Sequence, residues 1–164
     1  MHELRAYQRR IVSSIGTSNA IVKLPTGSGK TLIAATIAQQ HFKNGKGHSL
    51  FLVPNQDLVE QQALVLQESC HEVKVLRFTG GMADPTICTA SRTCLVSTPK
   101  AFQLLQQRKS EFSWQHFGLV VFDEVHHVLK DHPYRHIALG IKRSSTSVII
   151  RNHPKSRFLA FPLP

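Results

Sequence analysis

The chain has 164 residues, of which 41% are hydrophobic and 18% are charged, a size and composition that suit one globular domain with a core and exclude a disordered chain. Lysine and arginine number 20 against 10 acidic residues, which gives a formal net charge of +10. This charge favours a polyanionic partner such as nucleic acid, although a soluble domain that happens to be basic explains it equally well.

The three cysteines, Cys70, Cys88 and Cys94, are too few and too irregularly spaced for a disulfide framework or a zinc site. The absence of a disulfide pattern among the cysteines favours a reducing compartment. The first residues form no apolar segment of the secretory type, and no apolar run approaches the roughly 18 residues needed to cross a bilayer. We therefore expect a cytoplasmic or nuclear protein with no membrane association.

Short apolar runs alternate with helix-like stretches along the chain. The pattern predicts strands at residues 20–24, 49–53, 73–78, 94–97 and 119–122, and helices at 31–43, 55–69 and 99–108. The last of these strands is apolar on both faces, as is typical of a buried parallel sheet. The alternation predicts an α/β fold in which helices cover a mostly parallel sheet.

A glycine-rich turn lies between the first predicted strand and the first predicted helix. Gly29-Lys30-Thr31 matches the end of the phosphate-loop pattern G-x-x-x-x-G-K-[ST], but Leu24 stands where its first glycine belongs. Gly27 and Gly29 let backbone N–H groups approach phosphate oxygens. Lys30 would neutralise phosphate charge, and the Thr31 hydroxyl would ligate Mg²⁺. The nucleotide-binding residues predicted from this loop are Pro25, Thr26, Gly27, Ser28, Gly29, Lys30 and Thr31.

Two carboxylates, Asp123 and Glu124, directly follow the predicted strand at 119–122. Acidic side chains at the carboxyl end of a buried strand lie where α/β sheets bind ligands. Asp123 would hold Mg²⁺, and Glu124 would act as the general base toward water. Taken alone, the pair could also be a helix N-cap. Together with the phosphate loop earlier in the chain, it favours a nucleotide site, so Lys30, Asp123 and Glu124 are the predicted catalytic residues.

Ten histidines invite a metal-site interpretation, chiefly His126, His127, His132 and His136. Pro133 interrupts the i, i+4 spacing of the last two, and no cysteine or carboxylate completes a ligand set. Solvated or core histidines explain this group better than a metal centre does.

Taken together, these motifs resemble the superfamily 2 DExH-box helicases, whose own phosphate loop also lacks the first glycine. Residues 4–8, Leu-Arg-Ala-Tyr-Gln, resemble the adenine-recognising Q motif of that family, which implies that Gln8 reads the adenine edge and Tyr7 packs nearby. The resemblance implies a RecA-like P-loop NTPase domain, a three-layer sandwich that binds ATP and Mg²⁺. A transporter or other P-loop ATPase would not combine these three motifs.

Three further segments resemble the family's nucleic-acid motifs: residues 52–62, 79–81 and 96–100. Small hydroxyls and helix N-terminal N–H groups suit the backbone phosphates of RNA or DNA, although each segment alone could be an ordinary strand-to-helix turn. The nucleic-acid contacts that the resemblance implies are Pro54, Asn55, Gln61, Thr79, Gly80, Ser97, Thr98 and Pro99.

The string from Asp123 to His127 and the later Asp-His-Pro-Tyr-Arg-His-Ile resemble Dicer helicase domains, with RIG-I-like and Hef-type motors close by. All three act on duplex or branched nucleic acid. Residues 1–160 would form the ATP-binding RecA-like domain, with a strand beginning at 157. Residues 161–164 depart from the expected motif III, so we expect an aberrant or truncated tail and a missing second RecA-like domain, whether through natural truncation, a fragment or a wrongly predicted gene. The alternative is an inactive module that binds nucleotide or nucleic acid without turnover.

Overall fold

The computed structural model describes residues 3–16, 18–25, 27–44, 47–71, 73–81, 85, 92–112, 116–123, 134, 137 and 147–152. Its helices are α1 (Ala6–Ile15), α2 (Lys30–Lys43), α3 (Gln56–Ser69) and α4 (Pro99–Arg108). Its strands are β1 (Ala20–Lys23), β2 (His48–Leu52), β3 (Lys74–Phe78), β4 (Thr93–Ser97), β5 (Phe117–Phe122) and β6 (Ser147–Asn152). A 3₁₀ turn at Ser110–Phe112 follows α4.

The six strands form one sheet in the order β1-β6-β5-β2-β4-β3. Every pairing is parallel, which confirms the parallel α/β fold expected from the apolar run in β5. Because the strands are parallel, all of their carboxyl ends lie along one edge of the sheet. The loops that carry the candidate motifs leave β1, β2, β3, β4 and β5 at that edge.

Two hydrophobic clusters cover the two faces of the sheet and give the three layers that the resemblance implied. On one face, α1, α2 and α3 pack on outward residues of the strands such as Phe51 and Val121. On the other face, Leu50 and Val120 meet α4, with Phe112, Tyr134 and Ile137. Strands β2 and β4 are buried at every position, as expected of central strands covered on both faces.

The helix starts follow local capping chemistry. The Asn55 side chain accepts from the Leu58 N–H at the start of α3, and the Thr98 hydroxyl accepts from the Ala101 N–H at the start of α4. Pro99 occupies the first position of α4, where no N–H is needed. These features explain why α4 begins at residue 99, as the sequence predicts.

One strand was not predicted. Strand β6 lies between β1 and β5, whereas the sequence placed the next strand at residue 157. Residues 157–164 lie outside the described residues, so that expectation and the expected tail at 161–164 stay predictions. Residues 6–15, which form α1, had also been assigned no bounds from the sequence, and the other predicted elements agree with the observed bounds to within two residues. Within the described part of the chain, no helix combines the length and apolar character needed to span a bilayer.

Candidate nucleotide and nucleic-acid site

The phosphate-loop residues connect edge strand β1 to helix α2. Gly27 and Gly29 have φ angles of 77° and 74°, a left-handed conformation that glycine adopts without steric cost. The Ser28 N–H and hydroxyl both donate to the Pro25 carbonyl, at 3.3 and 2.6 Å, and close the turn. The loop therefore has a defined conformation in the described structure. Thr26 lies outside the described residues.

Helix α1 holds this loop from the side. The Tyr7 hydroxyl and the Gln8 Nε2 amide donate to the same Ser28 carbonyl, at 2.6 and 3.0 Å. The Gln8 Oε1 accepts from the Arg5 N–H at 2.8 Å. The amide of Gln8 retains one further N–H and one further lone pair, so contact with an adenine edge remains chemically compatible with these bonds. Its reading of adenine stays a prediction.

Gln8 also explains why the loop needs glycine at position 29. A Cβ built on Gly29 would lie 2.5 Å from Gln8 Nε2, whereas a Cβ on Gly27 would meet nothing within 4 Å. Gln8 is buried, with 3% of its surface exposed, so its amide cannot simply swing away. Gly29 thus serves both the loop conformation and the close approach of α1.

The N-terminus of α2 has the features of an anion site. Gly29 occupies the N-cap without a side-chain cap, and the first turn contains no acidic residue. Uncapped N–H groups and the helix dipole favour negative charge there. The Lys30 ammonium donates to the Leu24 carbonyl at 3.2 Å, so this cation folds back along the loop. The donor set therefore fits a nucleotide phosphate.

The Thr31 hydroxyl accepts a hydrogen bond from Gln62 Nε2 of helix α3 at 3.2 Å. Gln62 has 6% of its surface exposed. The sequence analysis did not single out this residue, since its partner is 31 positions away and no periodicity marks the contact. The signal available in the sequence was a glutamine on the helix face that also carries the apolar residues Val59, Ala63 and Leu66.

Asp123 lies directly after β5, at the same edge as the phosphate loop, and is 7% exposed. Because β6 alone separates β1 from β5, the two loops leave the sheet about 10 Å apart. This spacing leaves room for phosphate oxygens and a cation between them. The arrangement of Thr31 and Asp123 fits Mg²⁺, which prefers oxygen ligands. Glu124 lies outside the described residues.

Tyr134 fixes the backbone at Asp123. Its hydroxyl lies 2.9 Å from the Asp123 carbonyl and 3.2 Å from the Leu52 carbonyl, and its ring packs edge-on against Phe122. The side chain is buried, at 2% exposure. Tyr134 belongs to the string that suggested the Dicer-like resemblance, but its positioning contact was not foreseen.

The candidate nucleic-acid residues lie at the carboxyl ends of β2, β3 and β4. Asn55 and Thr98 cap helices, as described above, which leaves the other N–H groups of each first turn for an anion. Ser97 is fully buried, and its hydroxyl lies 2.9 Å from the Phe78 carbonyl and 3.1 Å from the Thr98 carbonyl, either of which can accept its one hydrogen. Within the described structure, Ser97 therefore joins β3 to β4 through its side chain.

The remaining candidates fall in the same region with one exception. Gly80 has a φ angle of 97° and packs close to Ala101, and Gln56 Nε2 lies 3.5 Å from the Thr79 carbonyl. Pro54 precedes α3 at this edge, and Pro99 is buried at the start of α4. Gln61 is exposed but lies about 9 Å along α3 from Asn55. Their contacts with nucleic acid stay predictions.

A cavity of about 630 Å³ lies where α1 and the residues before it, helix α2 and the C-terminal end of α3 meet. Leu4 and Arg9 line it from the α1 side, and Leu32 and Thr36 from α2. Glu3, Gln39, Glu68 and Ser69 complete the lining, and none of the phosphate-loop residues that the structure describes is part of it.

No cluster of three or more potential metal ligands of the histidine, cysteine or carboxylate type occurs among the residues that the structure describes. The four histidines considered in the sequence analysis, His126, His127, His132 and His136, lie outside them. Their interpretation as solvated or core residues stays a prediction.

Comparison with known proteins adds to this geometry. A family model described as "Type III restriction enzyme, res subunit" matches residues 1–151. A Dicer-like protein 1 from Neosartorya fischeri is 32% identical over 164 residues, covering 84% of this chain and 10% of the relative. The ATP-dependent DNA helicase Fancm of Drosophila melanogaster is 31% identical, with coverages of 82% and 10%.

Among solved structures, the Pyrococcus furiosus Hef helicase domain superposes with a TM-score of 0.80 at 28% identity, covering 97% of this chain and 34% of that one. The class defined by fold and motifs is a helicase RecA-like domain. The chain belongs to the Type III restriction enzyme res-subunit family and is an N-terminal domain of a superfamily 2 helicase, with Dicer-like and Hef/Fancm homologues. It spans about a tenth of the length of those curated relatives.

Proposed function

We propose that this chain is the ATP-binding half of a DExH-type RNA or DNA helicase or translocase of the Dicer-like kind. The observation that carries the proposal is the uncapped N-terminus of α2, with Lys30 and Thr31 in its first turn, beside Asp123 at the same sheet edge. The triphosphate would lie on the phosphate loop, and Thr31 and Asp123 would hold Mg²⁺. Glu124 would orient the attacking water. Bound Mg²⁺ would neutralise developing phosphate charge.

The adenine would lie beside the phosphate loop on the side of α1, where Gln8 stands with hydrogen-bonding capacity to spare. Tyr7 would support the base indirectly, because its hydroxyl holds the loop through Ser28. Helix α1 would thus support both the phosphate loop and the base.

Titration with a fluorescent ATP analogue tests the nucleotide site. Lys30→Ala removes the cation that faces the phosphates, so we expect affinity to fall by at least a hundredfold, as for loss of a buried charge-assisted contact. Lys43→Ala is the matched control, because Lys43 is exposed at the opposite end of the same helix. Equal affinities of the wild type and Lys30→Ala would refute the assignment.

The second part of the proposal is a grip on the phosphate backbone of RNA or DNA, preferably duplex, by the loops after β2, β3 and β4. The net charge of +10 and the two helix N-termini at this edge support it. Such binding weakens steeply with salt and varies little with base sequence.

Lys100 and Arg108 allow a matched test, because both are exposed on α4, Lys100 at the end near these loops and Arg108 at the far end. Lys100→Gln should lower the slope of log affinity against log salt by about 0.9, the value for one phosphate contact, and Arg108→Gln should leave it unchanged. Equal slopes in the two variants, or strong selectivity for base sequence, would contradict this grip.

A polypeptide of these 164 residues should bind ATP but turn it over very slowly, because the proposal assigns the arginine finger to a second RecA-like domain. An arginine finger contributes roughly 10³–10⁵ in rate. The inactive-module alternative predicts the same slow turnover but no gain when a second RecA-like domain from a relative is added. Phosphate release with and without duplex separates these cases, with Glu124→Gln as the control.

A further inference from the structure

Gln62 connects two parts of the molecule that the motifs treat separately. It lies in the second turn of α3, the helix that begins at Asn55, and its amide donates to the Thr31 hydroxyl of α2 at 3.2 Å. It is one of the few buried polar residues in the described part of the chain. We therefore ask what a buried amide gains from a hydrogen bond to the helix that follows the phosphate loop.

The chemistry of the Thr31 hydroxyl supplies an answer. A threonine oxygen has two lone pairs and one hydrogen. The Gln62 N–H occupies one lone pair, which leaves the second for a cation. The bond also restricts rotation about the Cα–Cβ bond of Thr31, which in a helix otherwise populates two rotamers. A ligand held in one rotamer loses less entropy when it binds a metal.

Helix α3 is a firm support for this bond. Arg77 of β3 lies 3.0 Å from the Glu60 carboxylate and 2.7 Å from the Gln67 Oε1, so two turns of α3 are tied to the sheet. The apolar side of the helix, including Val59, Ala63 and Leu66, is fully buried. Gln62 therefore projects from an element that is attached to the sheet as well as packed against α2.

We infer that Gln62 is a positioning residue for the metal site: it orients the Thr31 hydroxyl so that its remaining lone pair is available to Mg²⁺. The inference rests on the proposed binding of Mg·ATP. It places a functional contact on α3 that neither the phosphate loop nor the acidic pair contains. Gln62 acts through Thr31 and touches neither nucleotide nor metal.

The test compares affinity for a fluorescent, non-hydrolysable ATP analogue in Mg²⁺ and in EDTA. Gln62→Met keeps the length and helix propensity of the side chain and removes the donor. We expect its affinity in EDTA to equal that of the wild type, whereas the gain from Mg²⁺ falls about fivefold, the factor of one neutral hydrogen bond. Gln40→Met, an exposed site on α2, should change neither. Gln62→Leu repeats the measurement with a second apolar side chain.

A double-mutant cycle separates positioning from packing. In a Thr31→Val background the hydroxyl is gone, so Gln62→Met should have no further effect on the Mg²⁺ gain. An unchanged gain in Gln62→Met, or an equal loss in both backgrounds, would overturn the inference while leaving the proposed function intact. No affinity of the wild type in either medium would instead defeat the proposed function itself.

Discussion

Substitution of the two loop glycines by alanine provides a sharp test of how α1 supports the phosphate loop. Gly27 and Gly29 have nearly the same positive φ angle, 77° and 74°. They differ in surroundings: an added Cβ is unopposed at Gly27 but lies 2.5 Å from Gln8 Nε2 at Gly29. The pair therefore separates the cost of backbone conformation from the cost of the contact.

The expected magnitudes follow from these contacts. Gly27→Ala forces alanine into the left-handed region, which costs about 1 kcal/mol. Gly29→Ala carries the same cost and also displaces the buried Gln8 amide from Ser28 and Arg5. Two hydrogen bonds at about 1 kcal/mol each are then lost. We expect Gly29→Ala to lower the free energy of unfolding by about 3 kcal/mol in total.

Urea unfolding at equilibrium, followed by circular dichroism, measures both values. In a Gln8→Ala background the contact no longer exists, so the excess cost of Gly29→Ala over Gly27→Ala should disappear. Equal destabilisation by the two alanine substitutions in the wild-type background would refute the contact. So would an excess that persists without the Gln8 side chain.

Three further predictions concern buried groups. Tyr134→Phe removes the donor to the Asp123 carbonyl, so it should lower the unfolding free energy by about 1 kcal/mol and weaken Mg²⁺-dependent nucleotide binding in the analogue titration. If both values are unchanged, Tyr134 does not support Asp123. Burial, with the nearby His116, lowers the pKa of His48 below its ordinary 6.5, so the free energy of unfolding should decrease as the pH drops below about 6.5. Urea midpoints at several pH values measure this decrease, which should be smaller in His48→Gln. Burial raises the pKa of Cys70 to about 11 and of Cys94 to about 12, so iodoacetamide at pH 8 should label both thiols only after the protein is unfolded. Peptide mass mapping detects the label, and rapid labelling of the native protein would contradict the burial of these thiols.

The sequence was most informative where local chemistry determines the structure. Helix α4 begins at Pro99 as predicted, because Thr98 caps it and proline suits the first position. The parallel sheet followed from the apolar strands and the helices between them. Strand β6 was missed although its Val148-Ile149-Ile150 run is apolar and β-branched, a local strand signal that was passed over in favour of a strand at 157.

The site was predicted in the same uneven way. The phosphate loop and Asp123 lie in contiguous motifs and were found directly. Gln62 and Tyr134 act across separations of 31 and 82 residues, and only the fold brings them to Thr31 and Leu52. The side chains of Asn55 and Thr98 cap helices, a role that the motif strings did not reveal, and their expected contacts with nucleic acid stay predictions.

The position of β1 at the edge of the sheet has a consequence for synthesis of the chain. Its described strand partner is β6, and Ala20 pairs with Ile149. About 130 residues must therefore leave the ribosome before β1 acquires its neighbour, which takes on the order of 10 s at ordinary translation rates. Before β6 is translated, β2, β3, β4 and β5 can already pair with one another. Among the described strands, the one that leads into the phosphate loop is thus translated first and gains its neighbour last, so the nucleotide-binding edge of the sheet is completed only after β6 has been translated.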